Sequence, residues 1–207
     1  MICYTPVVVT RKTETFLKLL TRKQVIRSRD LDRAGIPRNY LNRLVERGQL
    51  RKIERGLYGV PELKSSEHMT LVEVAARIPK AVICLLSALR FHDIGTQMPS
   101  EVWIALDVKA WTPKIKYPPV RIVRFSGKAL RFGVQEHDVQ SGRVRVYSPA
   151  KTVADCFKFR YKIGSDIAVE ALRECLRKKK ATVDQLWEAA KVCRVANVMR
   201  PYMESLS

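Results

Sequence analysis

Arg29–Val60 reads RDLDRAGIPRNYLNRLVERGQLRKIERGLYGV, and the spacing of its helix-starting and helix-ending residues decides the fold of this part of the chain. Ser28, immediately before it, is an N-cap residue whose hydroxyl accepts an orphan helix N–H, so RDLDRA predicts a short helix that Gly35 ends. Ile36 leads into Pro37, whose fixed φ and missing donor suit the first position of a second helix; PRNYLNRLVERG then runs from Pro37 to about Arg47, and Gly48 stops it. Two short helices joined by a glycine turn result. Beyond them Leu50, Ile53 and Leu57 have short strand character around a tight turn at Arg55-Gly56, which predicts a small β-hairpin. Upstream, KTETFLKLL (12–20) reads as an amphipathic helix with Phe16, Leu17, Leu19 and Leu20 available to a core, and Val25 and Ile26 as a short strand. The order predicts a winged helix-turn-helix, roughly Phe16 to Val60.

At 100° per residue, Tyr40, Leu41, Leu44 and Val45 share one side of the second helix. Asn39, Asn42, Arg43 and Glu46 face away, with Arg38 and Arg47 on the flanks. Any surface helix has a polar outer face, but this one is rich in side chains that match base edges. Asn pairs a donor and an acceptor with adenine, and Arg offers two donors to guanine, both in the major groove of duplex DNA. Arg51, Lys52 and Arg55 on the hairpin would lie beside that helix, where a wing meets the backbone or minor groove. The candidate DNA-binding residues are therefore Arg38, Asn39, Asn42, Arg43, Arg47, Arg51, Lys52 and Arg55.

Composition agrees with such a partner. The 207 residues hold 39 Lys+Arg against 20 Asp+Glu, net +19, a field that draws polyanions. Residues 1–60 contribute 14 basic and 5 acidic side chains, almost half the excess in under a third of the chain. A hydrophobic fraction of 46% permits a real core. The five cysteines (Cys3, Cys84, Cys156, Cys175, Cys193) are scattered through apolar stretches without a CxxC pair and read as buried, reduced thiols. The start MICYTPVVVTRK has no charged region followed by a long apolar run, and AVICLLSAL is far short of a membrane span. A cytoplasmic, nucleoid-associated protein is expected.

VPELKSSEH (60–68), with a proline, two serines and alternating charges, suits a linker. The expected organisation is a DNA-binding domain over 1–60, a connector over 61–67 and a second domain over 68–207. HMTLVEVAARI predicts a helix, and AVICLLSALRFHDIG a buried segment passing into a helix capped near Ser87 and ended by Gly95. EVWIAL, VRIVRF, FGVQEH and RVRVY predict strands of one sheet. Ser148 with Pro149 opens a further helix with Val153, Ala154 and Phe157 on one face; another follows Ser165; Thr182 and Gln185 form a capping box for a third; VANVMRPYMESL supplies a last one. The fold class is α+β, the winged helix-turn-helix being followed by a mixed α/β C-terminal domain that ends in several helices.

An enzyme reading has little to stand on. His68, His92 and His137 fall in separate segments, and neither a Gly-rich phosphate loop nor a GxSxG elbow is present. The one arrangement of interest is Asp107 with Lys109 at the end of EVWIALDVK, with Asp93 or Glu101 upstream. Two carboxylates and a lysine there would suit a Mg²⁺-dependent nuclease, the alternative function, although such residues leaving a strand are usually solvated. Lys109, Lys114, Lys116, Arg121, Arg124, Lys128, Arg131, Arg143 and Arg145 also alternate with Trp111, Tyr117 and Phe125, a pattern that suits a phosphate backbone or RNA and equally suits outward-facing strand positions. A general RNA-associated basic protein is thus a third reading.

RDLDRAGIPRNYLNRLVERGQLRKIERGLYGVP resembles the N-terminal domain of AbiEi-type antitoxins, whose pattern joins an ArgAspLeu-like helix, a Gly-Ile-Pro turn and a wing ending in Arg-Gly-Leu-Tyr. The resemblance continues through LLSALRFHDIG, EVWIAL and YSPAKTVADCFKFRYKIGSDIAVEALRE, and so covers the chain from about Thr21. It implies a transcriptional autorepressor and antitoxin of a type IV toxin–antitoxin system. The N-terminal domain would bind double-stranded operator repeats and the C-terminal domain would serve antitoxicity. The partner would be a nucleotidyltransferase-like toxin with which no stable complex forms. No catalytic residue, cofactor or metal is implied.

Overall fold

The structure is a computed structural model that describes residues 25–33, 37, 39–59, 68–115, 117–139 and 142–206. The expected helix over 12–20, the Gly35 turn, Arg38 and the 61–67 connector lie outside the described residues. The chain divides into two compact units, Met1–Arg77 with Val139–Gly142 and Ile78–Asp138 with Arg143–Ser207.

In the first unit, β1 (Val25–Arg27) leads directly into α1 (Ser28–Arg33), and α2 (Asn39–Glu46) is followed by β2 (Arg51–Glu54) and β3 (Leu57–Gly59). The strands form an antiparallel sheet in the order β1-β3-β2, so β1 pairs with the second strand of the hairpin. Local chemistry explains the boundaries. The N–H of Arg27 is taken by Asp30 Oδ2 at 3.3 Å, and Ser28, expected as the cap, is instead the first helical residue, its N–H donating to Gly56 O at 3.0 Å. α2 ends where Gly48 takes φ +68°, a left-handed value that favours glycine, and Gln49 and Leu50 turn back to donate to Leu44 O. Ile26, Leu31, Leu41, Leu44, Leu50 and Tyr58 are buried together, with Val45 packed against them. Each fully buried aliphatic side chain of this cluster stabilises the unit by about 1.5–3 kcal/mol. α3 (Met69–Arg77) also belongs to this unit: Arg27 Nη2 donates to Ala75 O at 3.1 Å, and Arg51 Nη2 lies 3.5 Å from the buried carboxylate of Glu73. The boundary between the compact units thus falls after Arg77, beyond the 61–67 connector.

The second unit is built on a five-stranded mixed sheet in the order β6-β5-β4-β8-β7, formed by β4 (Val82–Ile83), β5 (Val102–Asp107), β6 (Val120–Phe125), β7 (Val134–Val139) and β8 (Gly142–Tyr147). β4 runs antiparallel to β5 and parallel to β8, and β5 runs parallel to β6 in register from Val102↔Val120 to Asp107↔Phe125. Val102–Leu106 are all buried, as an inner strand covered on both faces requires, whereas the edge strand β6 alternates toward solvent. α4 (Leu85–Phe91) and the short α5 (Gly127–Arg131) join the strands. The helices follow in the order expected: α6 (Pro149–Lys158), a single turn α7 (Arg160–Ile163), α8 (Ser165–Arg177), α9 (Val183–Cys193) and α10 (Ala196–Glu204). Ser148 caps α6 by accepting from Lys151 N, with Pro149 in the first turn, and Thr182 and Gln185 complete the capping box of α9. Ser87 is a correction. It does not cap α4, which opens after Cys84; it is buried inside the helix, where its Oγ accepts from Trp103 N at 2.9 Å and fastens the helix to β5.

Candidate nucleic-acid interface

The orientation of α2 follows from what it buries. Leu41 and Leu44 sit in the core of the first unit at 1% and 5% exposure, which turns Asn39, Asn42, Arg43 and Arg47 to solvent. Asn39 lies one turn before both Asn42 and Arg43, with Cβ spacings of about 5–6 Å, so the exposed side of the helix carries two amides and a guanidinium. An α-helix with its side chains is about 10–12 Å across, which fits the roughly 12 Å width of a B-DNA major groove. On the hairpin, Arg51 and Lys52 lie on β2 and Arg55 in the turn before Gly56, whose φ of +80° favours glycine. All three are exposed. The hydrogen bond from Ser28 N to Gly56 O ties that turn to the start of α1, so hairpin and helices are fixed to one another within the unit.

Of the eight residues expected at a DNA surface, Asn39, Asn42 and Arg43 on α2, Arg47 in the turn just after it, and Lys52 and Arg55 on the hairpin are exposed, and Arg38 lies outside the described residues. Arg51 differs in one respect: its guanidinium is shared with Glu73 of α3, which makes it a brace between the hairpin and that helix.

Each carboxylate of the nuclease alternative is engaged separately. Glu101 pairs with Arg121 at 2.8 Å, Asp93 lies 3.6 Å from Lys178 Nζ, and Asp107 Oδ1 accepts from the Lys109 N–H at 2.8 Å. Glu101 and Asp107 flank β5 at opposite ends, about 20 Å apart at the rise of a strand. That is too far to share an ion. The basic stripe of the sheet is likewise divided. Phe125 is a core residue packed edge-on against Tyr147 and Phe159, Arg121 stacks over Trp103, and Arg143 pairs with Glu136 and Asp138. Lys116 lies outside the described residues.

A buried polar cluster in the second unit went unnoticed in the sequence. Ala150–Phe157 of α6 are all buried, so the polar members of that run need internal partners. Lys151 Nζ pairs with Asp155 Oδ2, both side chains without solvent exposure, and stands 4.1 Å from the centroid of the Tyr147 ring and 4.7 Å from that of Phe125. Cys193 Sγ donates to Asp155 Oδ1 at 3.3 Å, and Tyr147 OH donates to Leu130 O at 2.8 Å. Thr152 Oγ1 and His92 Nε2 donate to Tyr147 O at 3.2 and 2.6 Å. Burial pushes the Asp155 carboxyl up, with the Lys151 ammonium opposing it. Burial, then the neighbouring Asp155, raises the Cys193 thiol to about 12. The signal that was available is the four-residue spacing of Lys151 and Asp155 inside an otherwise apolar run, SPAKTVADCF.

Comparison with known proteins bears on the first unit through a family model. Residues 16–61 match the model of a family described as transcriptional regulator, AbiEi antitoxin, the family that the sequence resembles. A crystal structure of the RV2827C protein from Mycobacterium tuberculosis shares the fold at a TM-score of 0.55 and 15% identity, the match covering 95% of this chain and 80% of that one. No curated protein matches. Among the described residues, no helix is long and apolar enough to cross a membrane.

Proposed function

We propose that this protein is a DNA-binding transcriptional autorepressor and the antitoxin of a type IV toxin–antitoxin pair, with α1, α2 and the β2–β3 hairpin forming a winged helix-turn-helix. The observation that carries the reading is the division of α2 into a buried Leu41/Leu44 side and an exposed Asn39/Asn42/Arg43 side, on a unit that is otherwise small and tightly braced. In this reading Asn39, Asn42 and Arg43 read base edges, while Arg38, Arg47, Lys52 and Arg55 meet phosphates and fix the register. Arg51 contributes through the hairpin it braces. The family match over residues 16–61 supports the regulator role, and the antitoxin half rests on the same match together with the resemblance of the second domain. The toxin would be a nucleotidyltransferase-like protein encoded alongside, countered without a lasting complex.

The test is binding of the full chain to a duplex carrying its own promoter, measured across salt against a shuffled duplex of equal composition. The promoter should bind at least about a thousandfold more tightly. Equal affinity for both duplexes would reduce the chain to a non-specific polyanion binder. Co-expression with the neighbouring gene tests the antitoxin half: growth should be restored.

A further inference from the structure

We propose that the connection between β5 and β6 is a second, separate binding surface that takes single-stranded nucleic acid by stacking an unpaired base on Trp111. This inference is independent of the duplex-binding reading of α2. β5 and β6 run parallel and in register, so the chain between them must travel back along the sheet, a return usually made by a helix. Here it contains VKAWTPKIKYPP (108–119), and its described residues form no helix or strand. It carries three lysines and no acidic residue.

The first half of the connection is a built turn. The Arg124 guanidinium reaches across from β6 to donate to Asp107 O at 2.9 Å, Ala110 O at 2.8 Å and Thr112 Oγ1 at 2.5 Å. Lys109 N and Ala110 N donate back to Asp107, and Val108 N donates to Phe125 O at 3.0 Å. This network holds an indole in water: Trp111 is 75% exposed, with Tyr117 at 67% on the same connection. Fixing a large aromatic outward on a braced loop contributes nothing to the core and leaves a flat apolar face ready for a planar partner.

The chemistry of that partner follows from the charge. Lys109 and Lys114 are exposed on the same connection, and lysine is depleted at the centres of protein–protein interfaces, whereas an aromatic among basic side chains is the pattern that tracks a sugar-phosphate chain with bases stacked on it. A duplex keeps its base faces stacked internally, so only an unpaired base can use the indole. Arg124 acts here as a positioning residue, its donors being spent on the loop.

The probe is a 5′-labelled oligothymidylate of about a dozen nucleotides added to the full chain, with affinity read in every protein by the anisotropy of the label and stacking read in the parent by intrinsic fluorescence. Trp103 is buried and Trp187 partly so, which leaves Trp111 as the responsive indole. Saturable, salt-sensitive quenching is expected. Trp111→Ala should abolish the quench and weaken binding about 5- to 150-fold, while Trp111→Phe retains most of the affinity. Promoter-duplex binding should be the same in all three proteins, so this result stands or falls apart from the function of α2. Undiminished oligothymidylate affinity in Trp111→Ala would overturn the proposal. So would quenching by poly-glutamate equal to that by oligothymidylate, which would assign the loop to an acidic protein partner.

Discussion

Lys151 and Asp155 form an ion pair one helical turn apart in which neither side chain is exposed to solvent. Such a pair is weak evidence of stabilisation, because removing two charges from water costs nearly what their attraction returns. Its effect appears when one partner is removed. Asp155→Ala strands an ammonium among Tyr147, Phe125 and the apolar side of α6, and should destabilise the protein by about 3–5 kcal/mol in urea unfolding. Lys151→Met with Asp155→Leu leaves no orphaned charge, only the weak Cys193 thiol donor without its acceptor, and should lie near the parent, or above it. A double variant as unstable as Asp155→Ala would mean that the charges themselves organise the second unit.

His92 gives the second unit a pH dependence with a definite sign. Its Nε2–H donates to Tyr147 O, and its ring packs against Phe91 and His137. Burial, the largest cause, lowers its pKa below the ordinary 6.5; the bond to Tyr147 O opposes this, and the nearby His137 and Lys180 reinforce it. The unfolded chain therefore binds a proton at a pH where the folded chain does not, and stability falls as pH drops through about 6.5, levelling off below the folded value. In His92→Gln, which keeps a donor for the Tyr147 carbonyl, the part of the slope between pH 7.5 and 5 due to this residue should disappear. An identical slope in both proteins would remove His92 as its source.

Much of this architecture is legible in the residues because local chemistry and tertiary packing agree. Gly48 and Gly56 punctuate the first unit, and Ser148-Pro149 and the Thr182/Gln185 box start their helices on capping chemistry that needs no distant partner; Pro37, expected at the first position of α2, stands outside the Asn39–Glu46 helix. What stayed hidden depends on the third dimension. Ser87 has the side chain of a cap, but its hydroxyl is taken by Trp103 N on a strand that follows it by sixteen residues. Met69–Arg77 follows the 61–67 linker in sequence and so reads as the start of the second domain, whereas its packing, including the bonds of Arg27 to Ala75 and Arg51 to Glu73, places it with the first unit. The burial of Lys151 required knowing that α6 is covered on every side. For the candidate interface, exposure of the outward face of α2 was legible from periodicity, whereas the engagement of Arg51 was not, since Glu73 is distant in sequence.

Among the described residues the thiols should be inert in the folded protein. Cys84, Cys156, Cys175 and Cys193 are buried free cysteines, and burial raises every one, Cys175 to about 11 and Cys193 to about 12. Since the thiolate is the reactive form, titration with a disulfide reagent at pH 8 should leave these four unmodified in native protein and modify all of them in denaturant, as mass mapping of the labelled peptides will report. Rapid native labelling of any of the four would contradict their placement.

The central claim is that the outward face of α2 reads duplex DNA, and Arg43→Ala tests it most directly. Arg43 is exposed and outside the core cluster, so the variant should fold as the parent does. If Arg43 meets a guanine in the major groove, affinity for the promoter duplex should fall by about 1–3 kcal/mol, with little change for the shuffled duplex; Arg55→Ala should instead weaken both and reduce the salt slope by about 1. Unchanged promoter affinity in Arg43→Ala, or an equal loss on both duplexes, would contradict the account.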